Sequence, residues 1–419
     1  MKDQGIGIIH YSAPPVIGGV EAVIKAHTIE FLRAGYSTTV ISGRGDQSAF
    51  PAKTNFISIP EIDSNHPEIQ SINQHLESGS VPENFEELEQ LLTNKLKPIV
   101  ETLDHLIVHN VLTKHFNLPL TKALFNLNAQ GSVKHLIAWC HDFTWTSSSS
   151  RSKVHEGDPW DLLRSKWANT FYITISRERQ QTLADLLNCS ETDIPVIYNG
   201  VNPKQLLGLS NTGWKIIQKL GMLSSDINLL MPVRVTKAKN IEFAIETAVS
   251  LKEKGVDSRF VLTGPPDPHD ADSMKYFQSL VDYRNKLGVQ KNFRFIFESG
   301  PESGQPFTID EQIVGDLYRI SDMMFMPSHR EGFGMPVLEA GLAGIPVLSR
   351  EVPAANEIAA SDAVIFTEET TSREVADIII QLLKQTSTVR FRGKVRKEYT
   401  WQSIFENKVQ PILELGRQK

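Results

Sequence analysis

The sequence predicts an α/β protein built from two doubly wound parallel-sheet domains, and three observations carry that prediction. Short apolar runs alternate with longer segments of helical periodicity along the whole chain, the pattern of parallel strands joined by crossover helices. The alternation restarts after Asn199-Gly200-Val201-Asn202-Pro203, a turn signal of the kind that closes a unit. The length, 419 residues, is too great for one domain at roughly 100–200 residues each and lets each half bury its own core.

Taken in order, Gly5–His10 reads as a first strand, Val20–Arg33 as a helix and Thr38–Ser42 as a second strand. Residues 44–82 read as less regular than the segments around them. Asn84–Leu103 is a helix with an acidic first turn, leading into the apolar run His105–Val108. His135–Cys140 and Phe171–Ile175 are buried-strand candidates, and the polar stretch Asp142–Pro159 between them reads as a mobile loop. Ile194–Tyr198 reads as a short strand. The second series has strands at Asn228–Pro232, Arg259–Thr263, Phe293–Phe297, Met323–Met326 and Pro346–Leu348. Its helices are Asn240–Lys254, Ser273–Leu287, Asp310–Arg319 and Met335–Gly344. Glu398–Leu415 is amphipathic, with Trp401, Phe405, Val409, Ile412 and Leu413 on one side, and has to bury that face. The expected division is a first domain over 1–205, a second over 206–398, and a last helix, 399–419, packing back on the first.

Composition narrows the function. Forty-three Lys and Arg stand against 49 Asp and Glu, a net charge of −6, which excludes the strong global basicity of a dedicated nucleic-acid binder. The first 200 residues carry all of it, with 16 basic and 22 acidic residues against 27 of each in the remainder. Two cysteines, Cys140 and Cys189, make no disulfide framework or metal-ligand spacing, so a reducing, cytoplasmic compartment is expected. The first residues lack the apolar stretch and small-residue site of a signal peptide, and no apolar run approaches the ~20 residues that span a bilayer. The sequence carries no signal for oligomeric state.

The most informative segment is Ser328-His-Arg-Glu331-Gly-Phe-Gly334-Met-Pro-Val-Leu-Glu339. A strand ends at Met326, a Gly-rich turn follows, and a helix begins near Met335 with Pro336 in its first turn, where a missing N–H costs nothing. The amides of Gly334, Met335, Val337 and Leu338 then point out of a helix N-terminus suited to phosphate. Glu331 before the helix and Glu339 inside it flank that site. Arg234 and Lys239, five apart at a strand end and helix entry, read either as solvated surface cations or as a pair able to reach one pyrophosphate, Arg by its planar fork and Lys as a point charge.

The E-G-F-G-x-x-x-x-E arrangement resembles the signature of retaining family-four glycosyltransferases with the GT-B fold, two Rossmann-like domains facing across a cleft. The likeness continues, in order, through Ile9-His-Tyr-Ser-Ala-Pro-Pro-Val-Ile-Gly18-Gly19-Val-Glu21, Trp139-Cys-His141-Asp142, Asn199-Gly200-Val201 and Pro232-Val-Arg234-Val-Thr-Lys-Ala-Lys239-Asn240. The resemblance implies that Arg234 and Lys239 bind the diphosphate and that Glu339 accepts the ribose hydroxyls. It implies that Glu331 binds hydroxyls of the transferred sugar, and that Gly18 and Gly19 let the backbone approach the diphosphate and acceptor. His141, at a strand end where open α/β sheets place their ligand crevice, would hydrogen-bond the donor sugar. Asp142 could orient that imidazole or cap the next turn.

The implied reaction moves a hexose from a nucleotide diphosphate sugar, UDP- or GDP-linked, to an acceptor hydroxyl with retention. No cofactor is required, and no D-x-D-like cluster for a metal is placed at a strand end. The acidic first half argues against docking on an anionic leaflet and favours a small soluble acceptor such as a sugar, polyol or sugar acid. The loop Phe143–Pro159, with Trp145, Arg151, Lys153 and His155, is the expected place for acceptor contacts. Three other readings share these motifs: a phosphorylase using inorganic phosphate, a nucleotide-sugar epimerase, and a catalytically silent nucleotide-sugar sensor.

Overall fold

The computed structural model describes residues 4–267, 269–300 and 305–415. The chain divides into two compact units, the first comprising residues 1–200 with 401–419 and the second residues 201–400.

The first unit holds strands β1 (Gly5–Ser12), β2 (Ser37–Arg44), β3 (Asn55–Ser58), β4 (His105–His109), β5 (Leu136–Cys140) and β6 (Thr170–Thr174). They form a parallel sheet of order β3-β2-β1-β4-β5-β6. The central strands are continuous apolar runs because helices cover both faces. Ile8 of β1, with no exposed surface, pairs with Val40 on one side and Ile107 on the other. The helices are α1 (Gly19–Arg33), α2 (Pro67–Glu77), α3 (Asn84–Val100), α4 (Leu118–Ala129) and α5 (Arg177–Leu187). α3 buries Phe85, Leu88, Leu92, Leu96 and Val100, one stripe at helical spacing.

Three sequence readings need correction here. Residues 44–82 contain β3 and α2, whose Ile69, Ile72 and Leu76 are buried. Ile194–Tyr198 is not a strand: Val196 makes one isolated bridge to Thr174, and Pro195, lacking an N–H, cannot extend the ladder. Asp142–Pro159 is not a loose loop, because its apolar residues Phe143, Trp145 and Val154 join the core.

The second unit repeats the plan after two short helices, α6 (Pro203–Leu206) and α7 (Asn211–Lys219). Its strands are β7 (Ile227–Met231), β8 (Ser258–Leu262), β9 (Phe293–Phe295), β10 (Met323–Met326), β11 (Val347–Arg350) and β12 (Val364–Phe366). Its helices are α8 (Ile241–Glu253), α9 (Ser273–Lys286), α10 (Glu311–Ile320), α11 (Met335–Leu342), α12 (Pro353–Ala359), α13 (Ser372–Gln385) and α14 (Ser387–Glu398). The sheet order β12-β11-β10-β7-β8-β9 is the first unit's order again, with β7 in the place of β1. Two such Rossmann-like sheets in one chain are the composition of a GT-B protein. In each unit the order reverses between the first and fourth strands, the point at which open α/β sheets leave a crevice beyond the strands' carboxyl ends.

The last segment, α15 (Trp401–Ile404), a π-helical turn (Phe405–Val409) and α16 (Gln410–Leu415), packs within the first unit. Phe405 meets Phe31 edge-on and Leu413 is fully buried. A spacing of four drifts around an α-helix of 3.6 residues per turn, and the wider π turn takes up that drift. Gly200 is needed at the turn before the second unit because a Cβ there would meet the Trp401 ring at 2.8 Å.

Candidate active site

In the first unit, β1, β4 and β5 end together at the switch point, and their ends carry histidines. His10 Nδ1 lies 2.9 Å from the His109 carbonyl, and His109 Nδ1 lies 3.1 Å from His141 Nε2. His27 reaches in from α1, its ring 4.5 Å from Trp139 and 5.6 Å from His109. All four rings are buried, and burial disfavours their charged forms. Burial, with a smaller repulsion from His141, holds His27 down to about 3; burial, with a smaller repulsion from His10, does the same for His141. The cluster is a set of neutral rings at neutral pH.

Its hydrogen bonding selects a tautomer. His109 Nε2 is buried without a partner, and a buried bare lone pair is tolerated better than an orphaned N–H. His109 therefore carries its proton on Nδ1 and donates to His141 Nε2, which leaves the His141 proton on Nδ1. The backbone amides of His141 and Asp142 both donate to Asn110 Oδ1, at 2.8 and 3.1 Å, fixing the strand end.

The other residues singled out in this unit fare differently. Asp142 is exposed and pairs with Arg179 at 3.2 Å; the imidazole's partner is His109 instead. Trp145 is buried, its ring between the guanidinium groups of Arg151 and Arg164 at 4.4 and 4.1 Å, and its indole N–H donates to the Trp160 carbonyl. Lys153 and His155 are tied to Glu77, so this loop's polar groups are largely spent on its own packing. A Cβ at Gly18 would overlap the Glu21 carboxylate, which accepts the Ser12 hydroxyl at 2.6 Å, whereas a Cβ at Gly19 would meet nothing. A side chain at Gly18 would thus have to move the Glu21 carboxylate, whereas Gly19 leaves open backbone. Cys140 is buried, with its thiol pushed up to about 12 by that burial, and is inert packing.

In the second unit the switch point lies between β7 and β10, and the loops after them are bonded together. His329 N–H donates to the Ala238 carbonyl at 2.9 Å, and Asn240, in the left-handed conformation with φ +51°, donates to the Pro327 carbonyl. This brings Lys239 against Glu331, with the ammonium 2.7 Å from both carboxylate oxygens. Arg234 is exposed and makes no ion pair among the described residues. Its backbone is pressed on Gly264, where a Cβ would collide with Val233 and Arg234 main-chain atoms.

Beyond β10, Gly334 caps α11 in the left-handed region at φ +84°, a conformation natural to glycine. The Val337 amide is turned to the Gly334 carbonyl at 2.9 Å and drops out of the set of free donors; Val337 itself is buried core. Met335, Leu338 and Glu339 are exposed on the same short helix. Tyr318, on α10, donates its hydroxyl to Glu339 Oε2 at 2.8 Å and so fixes the carboxylate's direction. No group of three or more His, Cys, Asp or Glu side chains is arranged for a metal among the described residues.

Residues 213–398 match the family described as glycosyl transferases group 1. The match lies within the second unit. Over 379 residues the chain is 22% identical to mannosylglucosylglycerate synthase of Petrotoga mobilis, a match spanning 83% of this chain and 82% of that protein. It is 24% identical over 189 residues to D-inositol 3-phosphate glycosyltransferase of Saccharomonospora viridis, spanning 44% of this chain and 41% of that protein. An uncharacterized glycosyltransferase of Methanocaldococcus jannaschii is 28% identical over 191 residues, 44% of this chain and 43% of that protein. The chain thus spans less than half the length of these last two relatives. Among solved structures, sucrose-phosphate synthase from Thermosynechococcus elongatus superposes with a TM-score of 0.38 at 15% identity, covering 99% of this chain and 100% of that one.

Within the second unit, the Arg234, Lys239, Glu331 and Glu339 set lies on residues whose spacing was legible. Tyr318 was not, because it sits on a different helix and only the fold brings it to Glu339. Arg350 was also missed: it is buried, 2.6 Å from His329 Nδ1, and pairs with Glu368, which holds the turn before Glu331. In the first unit His109, His27 and Asn110 were missed, although a histidine ending each of two apolar runs, His109 and His141, was a signal available in the sequence.

Proposed function

We propose that the protein is a retaining glycosyltransferase that moves a hexose from a UDP- or GDP-linked donor to a hydroxyl of a small soluble acceptor, in the cytoplasm. The observation that carries this reading is the joining of the β7 and β10 loops, which gathers an unpaired Arg234, the Lys239–Glu331 pair and the Tyr318-held Glu339 at one switch point. Arg234 neutralises the departing diphosphate, and Lys239 joins it when the phosphate oxygens displace Glu331. Glu331, released, accepts the sugar's hydroxyls, and Glu339 accepts those of the ribose. The open amide of Gly334 and those at the start of α11 add partial positive charge.

His141, fixed by His109 as an Nδ1–H donor, hydrogen-bonds the sugar from the first unit's crevice. The diphosphate is already a good leaving group, so no general acid of the glycosidase kind is needed, and its oxygen takes the acceptor's proton. The name of the relative that matches over most of the chain, a synthase of a sugar–glycerate conjugate, fits an acceptor of sugar or sugar-acid type.

A thermal-shift series with UDP, GDP, ADP and their hexose conjugates tests the donor, since binding stabilises the fold with the logarithm of saturation. One nucleotide family should raise Tm, and Arg234→Ala should abolish the rise. Proton NMR of the first-formed product, showing the anomeric configuration of the donor, tests retention. Release of sugar phosphate from a disaccharide and inorganic phosphate, or conversion of the donor with no acceptor, would replace the transferase reading.

A further inference from the structure

Among the described residues Lys114 makes no ion pair. It follows Thr113, whose hydroxyl donates to the Asp142 carbonyl at 2.8 Å, and its own N–H bonds the Asn110 carbonyl. The loop that carries Lys114 is therefore locked to the strand end that carries His141, because Asn110 also holds the His141 and Asp142 amides. The Tyr11 hydroxyl, from β1, donates to the Lys114 carbonyl, so the residue stands at the switch point itself.

The Lys114 side chain is half-buried, with its ammonium over the Phe116 ring at 4.8 Å from the centroid, and no carboxylate approaches to ion-pair distance among the described residues. The titratable groups around it are Asp142, Arg179 and His115. Asp142 is already paired with Arg179, which leaves two cations and one acid. His115 is neutral, pushed down to about 4 by burial first and then by the fields of Lys114 and Lys153. Burial, with Arg179 repulsion and against the pull of Asp142, lowers the Lys114 pKa as well. A partly desolvated ammonium with no anion is unfavourable unless a ligand completes it.

We propose that Lys114, with Arg179 beside it, is the subsite for an anionic group, a carboxylate or phosphate, on the small soluble acceptor. The proposal rests on the reading of the first unit as the acceptor side of a glycosyltransferase, and it narrows the acceptor from sugars and polyols in general to acids. The local positive potential lies inside a half of the chain that is acidic overall, so it selects a small anion reaching the crevice rather than an extended anionic surface.

The test is calorimetric titration of the full chain with D-glycerate, inorganic phosphate and, as the neutral control, glycerol. Glycerate and phosphate should bind at least about 10-fold tighter than glycerol, and Lys114→Met should remove about 10-fold of that. Lys114→Arg should restore it, Arg179→Met should weaken it by less, and Arg234→Ala should leave the glycerate affinity unchanged. Glycerate binding no tighter than glycerol, or a folded Lys114→Met protein binding glycerate as the wild type does, overturns the proposal. Lys114-dependent sedimentation with phosphatidylglycerol vesicles also overturns it, by assigning the cation to a lipid headgroup. A protein that binds glycerate through Lys114 but no nucleotide sugar keeps this subsite and loses the transferase reading; binding of the nucleotide sugar without the anion does the reverse.

Discussion

The two crevices of this protein share a strand order and differ in their electrostatics. At the first unit's switch point, four buried histidines are held neutral and Lys114 makes no ion pair among the described residues. At the second unit's, the groups are formally charged: Arg234 open to solvent, Lys239 clasped by Glu331, Glu339 aimed by Tyr318. A neutral, hydrogen-bonding wall suits sugar hydroxyls and an aligned acceptor. A charged one suits a diphosphate whose negative charge grows as the bond breaks. The fold is common to both sites and the chemistry is set by the side chains at the strand ends.

That contrast can be broken most sharply at Arg234. Arg234→Ala should lower transfer by about 100-fold or more, the usual magnitude for removing one preorganised charge-stabilising donor, measured as kcat at saturating donor. A drop under a few-fold would mean that the charged crevice does not carry the diphosphate.

The neutral crevice is tested next through pH. His27 sits in the fold with its pKa held down to about 3 from 6.5. The unfolded chain therefore takes up a proton below 6.5 that the folded ring refuses, and the stability associated with this group, present above 6.5, is lost as pH falls towards 3. Between pH 7 and pH 5 the loss is about 2 kcal/mol for one such group. Both ring nitrogens of His27 are unpartnered, so His27→Phe keeps the aromatic packing and should reduce the acid sensitivity by that amount in denaturant titrations at the two pH values. Equal sensitivity in both proteins would show that the ring is not held neutral.

His109→Phe sharpens the comparison from the same side. Loss of one hydrogen bond to His141 should lower kcat by about 10-fold and, in nitrogen-15 NMR, turn a single Nδ1–H tautomer of His141 into a mixture. An unchanged spectrum would remove His109 as the positioning residue. The smallest effect is expected at Tyr318→Phe, where Glu339 loses a guide but not its charge. The donor KM should rise about 5-fold with kcat unchanged, and a fall in kcat alone would place Tyr318 elsewhere in the cycle.

Much of this arrangement was legible in the linear sequence, for reasons that are local. Parallel strands buried on both faces are continuous apolar runs, so β1, β4, β7, β8 and β10 stood out within a residue or two of where they lie. The Glu331 to Glu339 segment was legible because a turn, a helix start and two carboxylates fall within nine residues. Where neighbours in space are distant in sequence, the reading failed. Asp142 read as a partner of His141 or as a cap on the next turn, yet the imidazole is met by His109, 32 positions away. Trp145 read as a loop aromatic placed for acceptor contacts, and it is buried with two guanidinium groups over its ring.

The sequence by itself therefore determined the two α/β series, the charge asymmetry and the clustering of cations and carboxylates in the second unit's strand-end segments, because periodicity and short-range spacing encode them. Only the tertiary structure decided how those groups are wired. It paired Lys239 with Glu331, turned the Val337 amide inward, set Tyr318 behind Glu339, and gathered four histidines into a neutral wall, with Lys114 nearby making no ion pair among the described residues. Those outcomes depend on which strand ends lie side by side. That adjacency follows from sheet order, and burial then sets the charge state of whatever the order brings together.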